Sequence, residues 1–201
     1  MEQVSKHKYQ VAWFKLSEFI RRGEKERAIG IYKLLMHTID DSAFAKQLEG
    51  DLLLFFADPD APACYIAAAQ LYKKNDKLAQ ATAIYEHLVA QFPHDINFFR
   101  TLISYYTELN HPTRTTLSLT RLLPAIVPVQ PAETVHQAIE NVCMLLEKTE
   151  QAQLYSTFVC ALIKHDQVHR DVLDQLIQKT LSLMSTHEQK AFLKQLDALH
   201  R

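Results

Sequence analysis

Glycine is scarce in this chain, which has only three glycines among 201 residues, each isolated from the others. A phosphate-binding loop needs several glycines within a few residues, because the backbone must approach the phosphates closely. The hydrolase motif G-x-S-x-G and the zinc-peptidase motif H-E-x-x-H are also missing. We therefore predict that the protein is not an enzyme and uses no cofactor.

Cysteine is equally rare. The three cysteines, Cys64, Cys143 and Cys160, are widely separated and odd in number. This spacing argues against a disulfide framework, so we interpret them as small hydrophobic residues in helices. Free cysteines are typical of reducing compartments, which predicts a cytoplasmic protein.

Long hydrophobic runs are absent. The longest apolar runs, such as Leu52–Ala57 and Ala63–Ala69, are far shorter than the roughly 20 residues that a transmembrane helix needs. Residues 1–10 carry charges where a secretory signal would have its apolar segment. We expect no insertion into membranes.

Neither sign of charge dominates. The chain has 22 Lys and Arg against 23 Asp and Glu, a formal net charge of -1. Proteins that bind nucleic acids or anionic membranes usually present a basic surface. The composition therefore predicts no nucleic-acid partner and leaves another protein as the expected partner.

The sequence does contain a repeat. Several positions of residues 62–95 recur, with substitutions, 34 residues later in residues 96–129. The first unit carries them as Tyr65, Ala68, Ala69, Tyr72, Ala81, Tyr85 and Leu88, and the second as Phe99, Leu102, Ile103, Tyr106, Thr115, Leu119 and Leu122. Pro93 closes the first unit, and in the second the closing proline is shifted to Pro128. A fixed period of this length indicates a repeat built from two helices.

Each half of the unit at 62–95 has the spacing of an amphipathic helix. Pro62 suits the first turn of the first helix, since an N–H has no acceptor there. Tyr65 and Tyr72 then share one face with two alanines. Lys73–Asp76 supplies a turn, after which the second helix begins. The alanines let the helices approach closely, and the tyrosines fill the space between units.

This unit resembles the tetratricopeptide repeat. The unit at 96–129 keeps the large positions but has Ile103 and Thr115 where the family has small residues. An earlier unit at 9–42 fits the pattern as well. Its matching positions are Ala12, Leu16, Phe19, Ala28, Tyr32 and Leu35. The resemblance implies an all-α fold, a right-handed superhelix of antiparallel helix pairs known as an α-solenoid.

The spacing between the first two units is irregular. An extra helix is predicted at 43–58, and a proline-rich break follows it. Either a repeat has lost its partner helix here, or two repeat groups are joined near residue 60. We favour a single domain over residues 1–201, because a short break of this kind is an ordinary inter-helix loop.

Beyond residue 131 the repeat pattern fades, but the helical periodicity continues. Residues 131–201 predict four further helices, the last of them rich in charge. A solenoid needs a polar cap on its terminal repeat, and this helix suits that role. About eleven helices result.

The resemblance also implies a binding surface, because the first helix of each tetratricopeptide repeat lines the concave face of the superhelix. The corresponding positions are Gln10, Trp13, Phe14, Ser17, Ile66, Gln70, Lys73, Asn97, Arg100, Thr101 and Ser104. Family members that bind chaperone C-terminal carboxylates present Lys and Asn at set positions of this groove, and this chain does not. The expected ligand is an amphipathic helix or extended peptide that makes apolar contacts with added polar recognition.

Two of these interpretations have alternatives. Trp13 either lines the groove or packs on the helix predicted at 43–58. His165 and His169 are spaced four residues apart and would share one helix face, as ligands of a metal do. The alternative is that they belong to a polar turn between helices, and we predict no metal site.

The predicted function is that of a non-enzymatic adaptor or scaffold that binds a peptide or helix of a partner protein. One alternative is a self-associating structural protein, a homodimer that uses Phe55, Phe56 and Phe99. Another is a bacterial effector or secretion chaperone built from the same repeats.

Overall fold

The computed structural model describes residues 2–37, 39–165 and 170–199, and for residues 2–10 it describes the backbone only. These ranges contain eleven helices and no strand. The helices are α1 (Glu2–Arg21), α2 (Lys25–Met36), α3 (Ser42–Phe55), α4 (Ala61–Lys74), α5 (Leu78–Gln91), α6 (Ile96–Leu109), α7 (Pro112–Ile126), α8 (Ala132–Cys143), α9 (Lys148–His165), α10 (Arg170–Leu183) and α11 (Thr186–Leu199).

The predicted all-α fold with about eleven helices is confirmed. The packing of neighbouring helices fits a solenoid of helix pairs. None of the described helices combines the length and the apolar character that crossing a membrane requires.

The chain forms two compact units, Met1–Ile84 (unit 1) and Tyr85–Arg201 (unit 2). The boundary falls within α5 and not near residue 60, where the alternative of two repeat groups placed it. The single domain over residues 1–201 stays a prediction.

Local sequence signals set the helix ends of unit 1. Gly23 adopts a φ of +73° in the turn between α1 and α2, a conformation that favours glycine. Asp41 caps α3, because its carboxylate accepts the backbone N–H groups of Ala43 and Phe44, each at 3.0 Å. Pro62 lies in the first turn of α4, as predicted.

Helices α3 and α4 run antiparallel. The Tyr65 hydroxyl donates to Asp51 Oδ1 at 2.5 Å, and the Tyr72 hydroxyl donates to Gln47 Oε1 at 3.2 Å. A Cβ at Gly50 would lie 3.0 Å from three ring atoms of Tyr65, so the backbone of α3 reaches that ring. The extra helix predicted at 43–58 is therefore present as α3 and has α4 as its neighbour.

The core of unit 1 joins the first three helices. Its buried members are Leu16, Ala28, Tyr32, Leu35 and Leu52. On α4, the predicted face is buried as well, namely Tyr65, Ala68, Ala69 and Tyr72. The repeat positions therefore do the packing that the sequence predicted for them.

Unit 2 is organised around α9. This helix contacts α7, α8, α10 and α11, and α6 packs on α8. Its buried residues are Ala152, Leu154, Tyr155, Phe158, Val159, Cys160, Ala161 and Leu162. The last helix, α11, buries only Phe192 and Leu196, and its role as the polar cap stays a prediction.

All three cysteines are free, as predicted. Cys143 and Cys160 are buried, and Cys64 is half-buried. They pack as small hydrophobic residues.

Candidate functional site

A cleft of about 770 Å³ in unit 2 lies between α6 and α8, and we call it the α6–α8 groove. Its floor is apolar and is formed by the buried side chains of Phe99, Ile103 and Ala138. Among the described residues, its lining comes from α6, from α8 and from Met144 just after α8. The C-terminal helices α10 and α11 therefore do not fill it.

One wall of the groove is the polar face of α6. Arg100 and Ser104 are four residues apart and share a helix face, and Thr107 follows one turn later. Asp95 starts this helix by accepting the backbone N–H of Asn97 at 2.9 Å. Within the described part of the chain Arg100 makes no ion pair, so its guanidinium is available to a ligand.

The opposite wall belongs to α8. Gln137 Nε2 lies 3.5 Å from Asn141 Oδ1, a long hydrogen bond that leaves donors and acceptors on both amides. Glu133 adds a carboxylate one turn before them. The thioether of Met144 is 85% exposed. The groove thus combines an apolar floor with amide and charged groups at its walls.

A smaller cleft of about 410 Å³ shares three side chains of the α8 wall with this groove. In it, Lys179 Nζ lies 2.9 Å from Glu140 Oε1 and 4.7 Å from the centre of the Tyr155 ring. The hydrogen bond from Lys179 holds the pKa of Glu140 below its usual range. Lysine and glutamate therefore neutralise each other here.

His136 lies beside this ion pair. Its Nε2 is 3.6 Å from Glu140 Oε1, too far for a hydrogen bond, and its ring stacks on Phe158. Burial lowers the pKa of His136, against the opposing effect of Glu140, so the imidazole is neutral at pH 7. Burial also raises the pKa of the Cys143 thiol to about 11. A protonated thiol is a poor nucleophile.

Unit 1 has a cleft of a different kind. It measures about 320 Å³ and lies between α1 and α3, and we call it the α1–α3 pocket. Its apolar lining consists of Trp13, Leu16, Ile20, Tyr32, Leu48, Leu52 and Phe55. Ser17 and Asp51 complete the lining, but the Ser17 hydroxyl already donates to the carbonyl of Phe14 at 2.8 Å.

Asp51 is the charged group of this pocket. Its Oδ1 accepts the Tyr65 hydroxyl, and burial together with this hydrogen bond raises the pKa of Tyr65. Among the described residues, no cation lies within ion-pair distance of Asp51. The pocket therefore presents one unbalanced negative charge beside apolar side chains.

The structure divides the predicted groove residues between these two surfaces. Trp13 and Ser17 line the α1–α3 pocket, whereas Arg100 and Ser104 line the α6–α8 groove. Phe14 points away from the core and is 70% exposed. Trp13 borders the pocket together with α3 side chains, which fits the alternative that it packs on this helix. Its place in a concave groove stays a prediction.

Other predicted residues line neither cleft. On α4, Ile66 is half-buried, and Gln70 and Lys73 are exposed. The Thr101 hydroxyl donates to the carbonyl of Asn97 at 2.9 Å, a bond within α6. Their binding roles stay predictions.

Two further predictions fall on residues outside those described. The side chain of Gln10 is one, and the region of His165 and His169 is the other, because residues 166–169 lie outside the described ranges. Among the residues that the structure does describe, no group of three His, Cys, Asp or Glu is placed to hold a metal ion.

The contribution of α8 to the groove was not predicted from the sequence. Glu133, Gln137 and Asn141 recur every four residues on the polar face of this helix. That spacing is visible in the sequence. The 34-residue pattern ends before α8, however, so it could not show which residues of α8 face the groove. Asp51 was missed for a related reason, since α3 lies outside the repeat units.

No family model matches this sequence, and none of the curated proteins matches it. The resemblance to the tetratricopeptide repeat accordingly stands on the residues of this chain.

Proposed function

We propose that this protein is a non-enzymatic interaction module that binds a peptide segment of a partner protein in the α6–α8 groove. One observation carries the proposal. Arg100 and Ser104, which the repeat pattern selected in the sequence, lie on one wall of an open cleft with an apolar floor. Clefts with an apolar base and a few polar groups are typical binding sites.

The chemistry of the walls favours an extended segment. An extended peptide has unpaired backbone N–H and C=O groups, and the amides of Gln137 and Asn141 offer both acceptors and donors. An apolar side chain of the ligand would cover Phe99 and Ile103, and an acidic one would pair with Arg100. Met144 is flexible and adapts to differently shaped side chains.

Two features support a non-enzymatic role and a cytoplasmic location. In the smaller cleft that adjoins the groove, Lys179 and Glu140 neutralise each other and His136 and Cys143 are uncharged, which favours binding over catalysis. The free thiols favour a reducing compartment such as the cytoplasm. We also propose that residues 9–42, 62–95 and 96–129 are tetratricopeptide-like repeats, because most of their large repeat positions are buried and Phe19 is partly buried.

Selection from a random peptide library, with the full-length protein as bait, tests this function. The selected peptides are then titrated against variants by fluorescence anisotropy. We expect Arg100→Ala and Asn141→Ala each to weaken binding about tenfold or more, as truncation of central interface residues does. The matched control is Arg121→Ala on α7, an exposed arginine that lines neither cleft and whose loss should leave binding unchanged.

Two results would contradict the proposal. The first is a set of selected peptides that bind wild type and both groove variants equally. The second is a catalytic turnover that persists through purification and disappears on substitution of one named side chain.

Self-association is a second candidate. Trp13 and Phe55 line the α1–α3 pocket and are nevertheless exposed, which is unusual for a monomeric surface.

A further inference from the structure

We propose that a second copy of this chain occupies the α1–α3 pocket, so that two copies form a symmetric dimer through α1. Phe14 of each copy enters the pocket of the other, and Arg21 of each copy pairs with Asp51 of the other. This inference concerns unit 1 and does not depend on peptide binding in the α6–α8 groove.

The occupant is an apolar side chain beside a cation on one helix face. Phe14 and Arg21 are seven residues apart, which is close to two helical turns, so they project from the same side of α1. Both are exposed. Trp13 and Ser17, which line the pocket, occupy the adjacent side of the same helix. One helix therefore carries both the inserting group and part of the receiving surface.

Such an arrangement is self-complementary. In a two-fold dimer the same surface patch of both copies meets, so the inserting side chain and the pocket that receives it must lie side by side on each copy. An unrelated partner that supplied only an inserting side chain would fill one pocket, whereas a second copy fills two, one on each chain. This is why the structure favours a second copy over an unrelated protein.

Charge complementarity selects Arg21 as the partner of Asp51. Two other cations of unit 1 are already paired, since Arg22 lies 2.5 Å from Glu18 and Lys46 lies 2.6 Å from Glu49. Lys15 is also exposed, but it is one residue from Phe14 and so lies off the helix face that Phe14 and Arg21 share. Within the described residues, neither Asp51 nor Arg21 makes an ion pair. Across the interface, each unbalanced carboxylate meets an unbalanced guanidinium.

The exposed apolar side chains support the same surface. Phe14 is among the most exposed large apolar side chains described. Val11 precedes it by one turn, and Trp13 and Phe55 are also exposed at the pocket. Apolar patches of this kind mark interaction sites on soluble proteins.

Sedimentation velocity on the purified full-length chain tests the dimer, from about 1 to about 100 µM, where small interfaces dissociate. We expect wild type to shift from monomer to dimer across this range. Phe14→Ser should raise the dimer dissociation constant about tenfold or more. Leu117→Ser on α7 is the matched control, because Leu117 is 69% exposed but belongs to unit 2, and the dimer should persist.

A charge swap identifies the ion pair. Arg21→Glu and Asp51→Arg should each dissociate the dimer, and the double variant should restore it, since the opposite charges again meet. Asp51→Asn keeps an acceptor for the Tyr65 hydroxyl and should weaken the dimer without unfolding unit 1. Far-UV circular dichroism confirms that each variant is folded.

Three results would overturn the inference: a wild type that stays monomeric at about 100 µM, a dimer that Phe14→Ser leaves intact, or a double variant that does not recover. Peptide titrations separate this outcome from failure of the proposed function. Phe14→Ser should leave the affinity of the α6–α8 groove unchanged, and Arg100→Ala should leave the dimer unchanged.

Discussion

The α1–α3 pocket and the α6–α8 groove each lie between helices that are two apart in the chain, yet they differ in chemistry. In unit 1 the second helix, α3, contributes Leu48, Leu52 and Phe55, and the pocket is apolar with a single carboxylate. In unit 2 the second helix, α8, contributes Gln137 and Asn141 instead. Helix packing therefore determines where a cleft forms, and α3 and α8 determine how polar its lining is.

The largest expected effect tests whether the two units fold as one. Tyr65→Ala in unit 1 and Phe158→Ala in unit 2 each remove a fully buried ring and should lower the free energy of unfolding by about 3–5 kcal/mol. The single-domain prediction expects one calorimetric transition that both substitutions lower. Two separate transitions, each sensitive to one substitution, would show that the units unfold independently.

A smaller loss of stability is expected when one tyrosine hydrogen bond is removed from each unit. The hydroxyl of Tyr106 donates to Glu86 Oε1 at 2.8 Å, and that of Tyr65 donates to Asp51. Because Glu86 is half-buried and Asp51 is exposed, water replaces the lost donor more easily at Asp51. We expect Tyr106→Phe to cost up to about 3 kcal/mol and Tyr65→Phe about 1 kcal/mol.

Urea denaturation of the two Tyr→Phe variants measures this difference. Equal losses of stability would mean that the exposure of the carboxylate does not control the strength of these bonds. An effect on the slope of the denaturation curve would instead indicate an altered denatured state.

The smallest effect is a pH dependence confined to unit 2. The pKa of His136 in the folded chain lies below its unfolded value of about 6.5, so the unfolded chain binds more protons on acidification. The stability that this group contributes is present above about pH 6.5 and is lost as the pH falls toward the lowered pKa.

His136→Phe keeps a ring to stack on Phe158 and removes the titration. The variant should lose less stability than wild type between about pH 7 and about pH 5.5, measured by chemical denaturation and by amide hydrogen exchange in unit 2. Identical pH profiles for the two proteins would show that His136 is not the group responsible.

The repeat units were the most predictable part of this fold. On α4 and α6 the spacing of Tyr65, Tyr72, Phe99 and Tyr106 predicted the buried faces, and all four side chains are buried. This succeeded because a helix face is set by local periodicity alone. The turn at Gly23 was predictable for the same local reason, since few other residues adopt its backbone conformation.

The clefts were only half predictable. The pattern placed Arg100 and Ser104 correctly on a common face, but their neighbours across the groove are Gln137 and Asn141, more than 30 residues further along the chain. No local period connects these positions, because the contact between α6 and α8 depends on tertiary packing. The central position of α9 was hidden from the sequence for the same reason.

The contact between Gly50 and Tyr65 has a consequence for how this chain can change. One aromatic ring limits the size of residue 50 and, through its hydroxyl, fixes the carboxylate of residue 51. Substitution of Tyr65 would therefore change two things at once, namely the contact between α3 and α4 and the position of the Asp51 carboxylate. The surface charge of this part of unit 1 therefore cannot evolve independently of the packing of α3 against α4.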